Sequence, residues 1–377
     1  MLYWSKIMVV MSFTMLLFSA NSFAESKYQE LSDNFRDHFR HQLAVNKVPG
    51  GALVILENDQ ILKMSTYGKR DKNGNKIITF DTVFRLASVS KTFAGSLATM
   101  MVHENKFQWD DPLIGYMPKF ALLDANITKQ INLGHLIGHS TGLMPNTYDN
   151  ILNAHGRLDR IIPKFAELSP ICTPGTCYSY QNIAFSFIQE AIEGKSGKDY
   201  QQLMQERIFS PLNMNNASVG MDDFIANKNH ASPHIKTKYG FKKVRVNKDY
   251  YQVEPAAGVN ASIRDMSKWI IANLGNNPEV LNSTLLDEIK QKGIKTTREL
   301  RKRNWGAHLK SAHYGKGWRV YDFDGHELIY HAGWVSGFVA EVAYSPELKI
   351  GMAILLNGES AVISELGAHF WQEVFSQ

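Results

Sequence analysis

Strand-forming sequences lie near both ends of this 377-residue chain, and they constrain its fold more than any other feature. Residues 50–62 have the pattern of a strand, a turn and a second strand. Near the C-terminus, residues 338–345 alternate between two faces, and residues 350–356 form an apolar strand after a short turn. Apolar residues at helical spacing predict a first helix at 28–45 and a closing helix at about 360–374. We therefore expect one antiparallel sheet, built from both ends of the chain and flanked by helices.

The middle of the chain has a different pattern. Residues 110–255 contain short helical patterns interrupted by proline and glycine, and they indicate a mostly helical inserted region. Within it, residues 236–251 alternate basic with apolar or aromatic side chains, which predicts two strands. The fold class is thus α/β (α+β). The expected divisions are a signal peptide at 1–24, a sheet domain formed by 25–120 and 256–377, and a helical inserted domain at 121–255.

The first 24 residues have the pattern of a cleavable signal peptide. Lys6 precedes an apolar segment from Ile7 to Phe18, and Ser22-Phe23-Ala24 offers small residues at the cleavage positions. A buried N-terminal helix is the alternative interpretation. The apolar segment is short for a membrane span, and no cysteine follows the cleavage position as a lipid attachment site. We expect a periplasmic or secreted protein without a stable membrane anchor.

The charge of the chain is only mildly basic. The formal net charge is +5, and loss of Lys6 with the signal peptide would leave +4. This scattered excess gives no reason to expect a nucleic-acid partner, but it would suit a small anionic substrate.

The two cysteines, Cys172 and Cys177, are five positions apart. In an oxidising compartment such a pair can close a small loop as a disulfide. Two free thiols are the alternative, because the sequence does not show whether the side chains face each other. No set of cysteines and histidines with ligand spacing accompanies the pair, so we expect no metal site.

Ser88 and Lys91 form the single Ser-x-x-Lys motif of the chain, at the start of a helical pattern that runs to residue 102. Residues three apart share a helix face, so the lysine amine can lie beside the serine hydroxyl. A serine needs a neighbouring base to become a good nucleophile. The plain alternative is an ordinary helix start with a solvated lysine.

Two further motifs follow in the sequence. Tyr180-Gln181-Asn182 combines a phenol, which can act as a base beside cations, with an amide that can hold a substrate amide or the lysine. His331-Ala332-Gly333 lies at the start of the C-terminal strand pair and would place a polar or cationic group beside a strand edge. Taken singly, these motifs also fit a half-buried tyrosine in a loop and a histidine at a turn.

The order Ser-x-x-Lys, Tyr-x-Asn and His-x-Gly resembles the serine β-lactamase and penicillin-binding protein superfamily, most closely its class C branch. The similarity covers nearly all of residues 30–375 and includes five further segments: 84–93, 131–143, 258–266, 314–318 and 338–357. The resemblance implies a β-lactamase/transpeptidase-like fold and a monomer. It also implies catalysis without a metal or cofactor, on a β-lactam or a peptidoglycan stem peptide ending in D-Ala-D-Ala.

The resemblance also implies a role for each motif residue. Ser88 would be the nucleophile, and Lys91 and Tyr180 would share the general-base and proton-relay work. Tyr180 would also return the proton to the leaving nitrogen and later activate the deacylating water. Asn182 would position the substrate amide. The backbone N–H groups of Ser88 and Trp334 would form the oxyanion hole.

The third motif departs from the Lys-Thr-Gly of class C enzymes. His331 replaces a permanent cation by a group that is often neutral at pH 7, Ala332 lacks a hydroxyl for a substrate carboxylate, and Trp334 is bulky for a cleft position. Gly333 retains the glycine. Hydrolysis of β-lactams is therefore one expectation, and a carboxylesterase or D-amino-acid peptidase on the same scaffold is the other. A non-catalytic cell-wall binding module is the third interpretation, and the intact first two motifs argue against it.

Overall fold

The structure, a computed structural model, describes residues 26–377, so the predicted signal peptide lies outside it. The strands are β1 Gly50–Glu57, β2 Gln60–Gly68, β3 Phe84–Arg85, β4 Ser218–Val219, β5 His234–Thr237, β6 Gly240–Lys243, β7 Val259–Ala261, β8 Ile294–Lys295, β9 Leu309–Tyr314, β10 Arg319–Phe323, β11 His326–Val335, β12 Phe338–Ser345 and β13 Ile350–Leu356.

The α-helices lie before, between and after these strands. They are α1 Gln29–Val45, α2 Ser90–His103, α3 Ala125–Gln130, α4 Leu133–Ile137, α5 Asp149–Asn153, α6 Leu158–Ile161, α7 Asn182–Ser186, α8 Ile188–Ser196, α9 Tyr200–Met204, α10 Met221–Ala226, α11 Glu254–Ala257, α12 Ile263–Asn273, α13 Ser283–Ile289 and α14 Val362–Phe375. Within residues 26–377, no helix combines the length and apolar character needed to cross a bilayer.

The main sheet has eight strands in the order β2-β1-β13-β12-β11-β10-β9-β8. Neighbouring strands are antiparallel, and β1 pairs with β13 so that Gly51 lies opposite Leu356. Within residues 26–377, the first strand thus pairs directly with the last one. The predicted antiparallel sheet from both ends of the chain, with flanking helices, is confirmed.

Helices cover both faces of this sheet. In β1, Leu53 and Ile55 belong to an apolar cluster with α1 and α14, which includes Phe39 and Trp371. Val54 and its alternate neighbours belong to a second cluster, formed with α2, α12 and the helical region. Burial on both faces explains why β1 is an almost continuous apolar run rather than an alternating strand.

The region between β3 and β7 is mostly helical, and its apolar side chains join the same cluster as one face of the main sheet. The predicted strand pair at 236–251 is wrong in its second half. The hairpin of β5 and β6 ends at Lys243, and Asp249–Gln252 forms a 3₁₀ turn. Gly240, whose φ is +102°, makes an early turn possible. Asp249 is buried and accepts a hydrogen bond from His155 at the start of this 3₁₀ turn.

Candidate active site

Ser88 lies in a 3₁₀ turn, Ala87–Val89, that leads directly into α2. Ala87 has a φ of +49°, a strained left-handed conformation for a residue with a Cβ. Strand β11 passes against this turn at Gly333. A Cβ at position 333 would collide with the Leu86 carbonyl oxygen and lie 2.8 Å from the Ser88 backbone nitrogen. Only glycine therefore allows the strand edge to approach the nucleophile turn this closely.

Lys91 is buried on the first turn of α2, and its Nζ has three polar neighbours. It lies 2.7 Å from Asn182 Oδ1, 3.1 Å from the Ala256 carbonyl oxygen and 3.3 Å from Ser88 Oγ. The first two atoms only accept hydrogen bonds. A neutral amine has two N–H donors for those acceptors, and its lone pair is then left for the Ser88 hydroxyl. The geometry is that of a base positioned to take the serine proton.

The electrostatics of Lys91 favour this neutral form. Burial lowers the pKa of the Lys91 amine well below its ordinary value, and the Arg319 guanidinium lowers it further. The Asp149 carboxylate raises the same pKa, but its effect is smaller than that of burial.

Tyr180 stands between Lys91 and His139. The Lys91 Nζ lies 4.7 Å from the centre of the Tyr180 ring, and the His139 ring lies 4.3 Å from it on centroids. Burial raises the pKa of the Tyr180 phenol to about 12, although Arg319 and a hydrogen bond with Ser88 act in the opposite direction. Tyr180 is thus a phenol at neutral pH and is suited to donating a proton rather than to acting as a phenolate.

Asn182 connects Lys91 to a carboxylate that the sequence analysis did not single out. Its Oδ1 accepts from Lys91, and its Nδ2 donates to Asp149 Oδ2 at 2.6 Å. Asp149 lies 31 residues before Tyr180, at the start of α5. No local motif marks this aspartate, because the fold alone brings it to the site.

His331 is buried and does not line the cavity that contains Ser88. Its Nδ1 lies 2.9 Å from the Ala332 carbonyl oxygen, so this nitrogen carries the proton and donates it. Its Nε2 then accepts from Tyr314 Oη at 3.0 Å and from Arg319 Nη1 at 3.3 Å. Burial, together with Arg319, lowers the pKa of His331 well below its ordinary value. His331 is a neutral acceptor behind the site, not the cation that lysine supplies in Lys-Thr-Gly.

Arg319 is a cation on this side of the cavity that the sequence analysis also missed. It lies on β10 beside β11, is 8% exposed, and has Glu299 as its ion-pair partner, with 3.5 Å between Nε and Oε1. Burial lowers the pKa of Arg319, but Glu299 together with the neighbouring tyrosines raises it more, so the pKa lies above its ordinary value. Arg319 precedes His331 by one strand in the sequence. A prediction of how these two strands pair could therefore have placed Arg319 near the site.

These groups surround a cavity of about 610 Å³. Five of the predicted site residues line it, and the buried Lys91 contacts two of these, Ser88 and Asn182. Trp334 stands at its edge with 52% of its surface exposed. The lining residues are Ser88, Asn146, Asp149, Asn153, Tyr180, Asn182, Tyr250, Lys302, Arg319, Tyr330, Ala332, Gly333, Trp334, Ala340, Glu341, Ala361, Ile363 and Ser364.

Cys172 and Cys177 are paired in a disulfide, with their Cα atoms 6.3 Å apart. The bond closes a loop just before Tyr180 on the outside of the cavity. The Ile171 N–H donates to the Gly142 carbonyl oxygen at 2.7 Å and ties this loop to the segment after α4.

Comparisons with known proteins agree with this architecture. A family model described as Beta-lactamase matches residues 35–371. A β-lactamase of Escherichia coli is 25% identical over 373 residues, covering 91% of this chain and 93% of that protein. An unguisins hydrolase of Aspergillus violaceofuscus is 24% identical over 351 residues, covering 87% of this chain but only 61% of the hydrolase.

The solved structures give the same result for the fold. The octameric penicillin-binding protein homologue from Pyrococcus abyssi superposes with a TM-score of 0.80, and the match covers 92% of this chain and 77% of that one. At 20% identity this likeness shows the fold. The family match extends over most of the chain and includes the serine, lysine and tyrosine of the site. The chain is therefore a serine hydrolase that belongs to the β-lactamase family.

Proposed function

We propose that this protein is an exported hydrolase of the class C type, which transfers the acyl group of a β-lactam or a D-Ala-D-Ala-type peptide to Ser88 and then to water. The observation that carries this proposal is the position of Lys91. Its Nζ lies 3.3 Å from Ser88 Oγ, and two carbonyl oxygens occupy its donors.

In the acylation step, Ser88 Oγ attacks the substrate carbonyl carbon while its proton moves to the Lys91 lone pair. The backbone N–H groups of Ser88 and Trp334 would stabilise the oxyanion of the tetrahedral intermediate. Such a donor is typically worth about 10²–10³ in rate. The Tyr180 phenol donates its proton to the leaving nitrogen as the C–N bond breaks, and the Lys91 ammonium returns a proton to Tyr180.

In the deacylation step, a water molecule attacks the Ser88 ester and transfers a proton to the neutral Lys91 amine. The ester C–O bond breaks, and Ser88 Oγ regains its proton from Lys91. Both half-reactions thus use one base, and every proton returns to its starting group.

Arg319 supports a substrate that carries a carboxylate. It lines the cavity, it is permanently charged, and its guanidinium lies 5.5 Å from the centre of the Tyr180 ring. We infer that Arg319 takes the place of the lysine of Lys-Thr-Gly as the cation for a carboxylate in the leaving group.

A second candidate is a carboxylesterase or D-amino-acid peptidase on the same scaffold. The observation that favours it is the third motif, in which His331 is neutral and buried and Ala332 supplies no hydroxyl. Short esters need no cation for a carboxylate, so they would be less affected by this change.

The test is to incubate the purified mature protein with a chromogenic cephalosporin while following colour and intact mass together. Steady colour without a lasting adduct identifies a β-lactamase, and a lasting adduct with a single burst of colour identifies a penicillin-binding peptidase. Absence of both, with turnover of short esters, identifies the second candidate. Covalent labelling that survives Ser88→Ala would contradict Ser88 as the nucleophile.

Export is a separate part of the proposal. It rests on the sequence pattern of residues 1–24, and the paired cysteines are compatible with an oxidising compartment. If the signal peptide is cleaved after Ala24, the intact mass of protein recovered from the periplasm would be that of a chain beginning at Glu25. Recovery of the full-length chain from the cytoplasm alone would overturn export.

A further inference from the structure

We propose that a basic surface beside the cavity docks the protein reversibly onto a bilayer of anionic phospholipids. The basic surface consists of residues 227–248, which include the hairpin of β5 and β6, and residues 69–76, which contact this hairpin. The contact is peripheral and electrostatic, so it differs from a stable membrane anchor. The inference goes beyond the proposed function, because it concerns where the protein works rather than which bond it breaks.

The first observation is the concentration of positive charge in these two segments. Residues 227–248 contain seven lysines and arginines and no acidic residue, and residues 69–76 contain four more with Asp71 as their one acid. Asp222 and Asp223 on α10 border the surface. The basic surface thus has a net charge of +10, whereas the whole chain has +5, so the rest of the chain is acidic. The fold gathers a basic excess that the sequence spreads over two distant segments.

Direct contacts hold the two segments together. The Lys243 ammonium lies 2.6 Å from Asp71 Oδ2, and the Arg70 guanidinium donates to the Lys228 carbonyl oxygen at 2.6 Å. The carboxylate of Asp71 is thereby neutralised by Lys243. The other lysines of the basic surface are exposed, and none of them has an ion-pair partner in the part of the chain that the structure describes. Their charge is therefore available to an anionic partner.

The second observation is the presence of exposed apolar side chains on the same surface. Tyr239 stands at the tip of the hairpin and is 88% exposed, and Ile77, directly after the 69–76 segment, is 65% exposed. The Lys238 Nζ lies 4.9 Å from the centre of the Tyr239 ring. Tyrosine is enriched at the level of the lipid headgroups, because its ring is apolar and its hydroxyl is polar. Lysines around an exposed aromatic side chain are suited to an anionic bilayer.

A second basic segment shows that charge alone does not single out the hairpin. Residues 290–303 contain seven lysines and arginines with Glu299 as their one acid, and they include β8 at an edge of the main sheet. Their large apolar side chains, Ile294 and Leu300, are only partly exposed. This segment offers charge without an exposed aromatic side chain, so it provides a natural control for the hairpin.

The base of the hairpin lies next to the cavity. The His234 N–H donates to the Gly337 carbonyl oxygen at 3.2 Å, and Gly337 follows Trp334, at the edge of the cavity, by three residues. His234 and Phe241 are buried, so the hairpin is fixed to the body of the protein. Docking of the basic surface therefore brings the edge of the cavity that carries Trp334 towards the bilayer.

Nucleic acid is the other polyanion that a basic surface with an aromatic side chain can bind. Nine of the eleven basic residues of the surface are lysines, which are strongly hydrated point charges. Arginine, with its planar fork of donors, is the more usual residue for nucleic-acid recognition. Ile77 has no π face on which a base could stack, whereas an acyl chain can contact it. These features favour the bilayer.

The experiment measures co-sedimentation of the mature protein with vesicles of phosphatidylcholine, either alone or mixed with an equal part of phosphatidylglycerol. We expect binding only to the anionic vesicles, with release at about 1 M salt, where the screening length is about 3 Å. The triple variant Lys236→Gln, Lys238→Gln and Lys242→Gln should bind about 100-fold more weakly, since each lysine near an anionic surface contributes about fivefold. Tyr239→Ser should bind about tenfold more weakly, because a ring that contacts lipid is lost.

The matched control is the triple variant Lys292→Gln, Lys295→Gln and Arg298→Gln, which removes the same charge from the second basic segment at exposed positions. It should retain an affinity close to that of the wild type. Because all the substituted side chains are exposed, every variant should keep the wild-type melting temperature.

Four results would overturn the inference. Equal losses of affinity in the two triple variants would mean that net charge alone determines binding. Absence of binding to anionic vesicles, or equal binding to neutral ones, would exclude an anionic bilayer as the partner. Wild-type affinity in Tyr239→Ser would leave only charge as the driving force and would contradict the choice of a bilayer. Tighter binding to DNA than to anionic vesicles at the same salt concentration would identify a nucleic-acid surface instead.

Discussion

Lys91 and Arg319 are two buried basic side chains beside one cavity, yet their surroundings shift their pKa values in opposite directions. Lys91 has carbonyl oxygens as its closest partners, and burial lowers its pKa well below the ordinary value. Arg319 has the Glu299 carboxylate beside it, and this carboxylate together with neighbouring tyrosines raises its pKa more than burial lowers it. The contrast shows that burial alone does not determine the charge of a basic side chain, because the charges of neighbouring groups also shift its pKa.

The same contrast assigns the two groups different tasks. A neutral amine has a lone pair and can accept the proton of Ser88. A guanidinium has no acceptor and remains charged, so it can only attract an anion. Under the proposed function, the base and the fixed positive charge would therefore be separate side chains, one on α2 and the other on β10.

The largest expected effect is that of Lys91→Arg, which replaces the base by a permanent cation. We expect kcat for acylation to fall by about 10²–10⁴-fold, because general-base assistance is lost. The measurement is burst kinetics with a chromogenic substrate. Lys198→Arg, an exchange at an exposed ion pair with Glu206, should retain wild-type kinetics, and a Lys91→Arg variant that acylates normally would contradict the role of Lys91.

Glu299→Gln tests the ion pair that Arg319 forms with Glu299, and the measured quantity is the free energy of unfolding. Burial raises the pKa of Glu299, but the neighbouring cations Arg319 and Lys302, with hydrogen bonds from Lys302 and Tyr321, lower it to about 2 from an ordinary value of 4.5. Its contribution to the free energy of unfolding is therefore complete above the ordinary pKa and is lost as the pH falls from about 5 towards 2. We expect the wild type to exceed the variant by about 3 kcal/mol at pH 7, and the difference to shrink below pH 4. Urea unfolding at several pH values measures it, and a difference that does not vary with pH would contradict the assignment.

Arg319→Gln should act on binding rather than on the chemistry. Loss of the charge removes a partner for a substrate carboxylate, and we expect kcat/KM for carboxylate-bearing substrates to fall by roughly 10- to 100-fold. Hydrolysis of a neutral ester should change much less, which provides the internal control. Equal losses on both substrates would mean that Arg319 only maintains the structure of the site.

The smallest effect is expected for His331→Gln. The glutamine carbonyl oxygen can accept the hydrogen bonds that Tyr314 and Arg319 donate to the imidazole. We expect less than about tenfold change in kcat/KM, with an unchanged pH profile between pH 5 and 8. If kcat/KM of the wild type depends on pH in that range and kcat/KM of the variant does not, His331 titrates and carries charge, which would contradict its neutral state.

Local sequence patterns predicted much of the fold and part of the site. The apolar runs at 50–62 and 338–356 predicted the antiparallel sheet, because strand periodicity is a local property. Ser88, Lys91 and Asn182 belong to short motifs, so their placement around one cavity followed from a resemblance of order and spacing. The hairpin that begins at His234 was predicted too long, because its turn lies at Gly240 and the residues at 249–252 form a 3₁₀ turn with tertiary contacts such as that of Asp249 with His155.

The remaining site residues could not be predicted, because tertiary structure assembles them. Asp149 meets Asn182 across 33 positions, and Glu299 meets Arg319 across 20 positions. The sequence suggested a polar or cationic His331 beside the substrate. Its neutral state depends on burial and on Arg319 of the adjacent strand, and neither is visible in the local pattern.

The protonation state of Lys91 is the central claim, and the pH dependence of acylation tests it most directly. The measurement is the single-turnover rate of acylation between pH 4 and 10, using an ester without ionisable groups so that only the protein titrates. We expect the rate to rise with pH and to reach its plateau at a pH far below the ordinary pKa of lysine, about 10.4, because the amine is already neutral there. A rate that continues to rise up to pH 10 would show a protonated Lys91 and would contradict its role as the base.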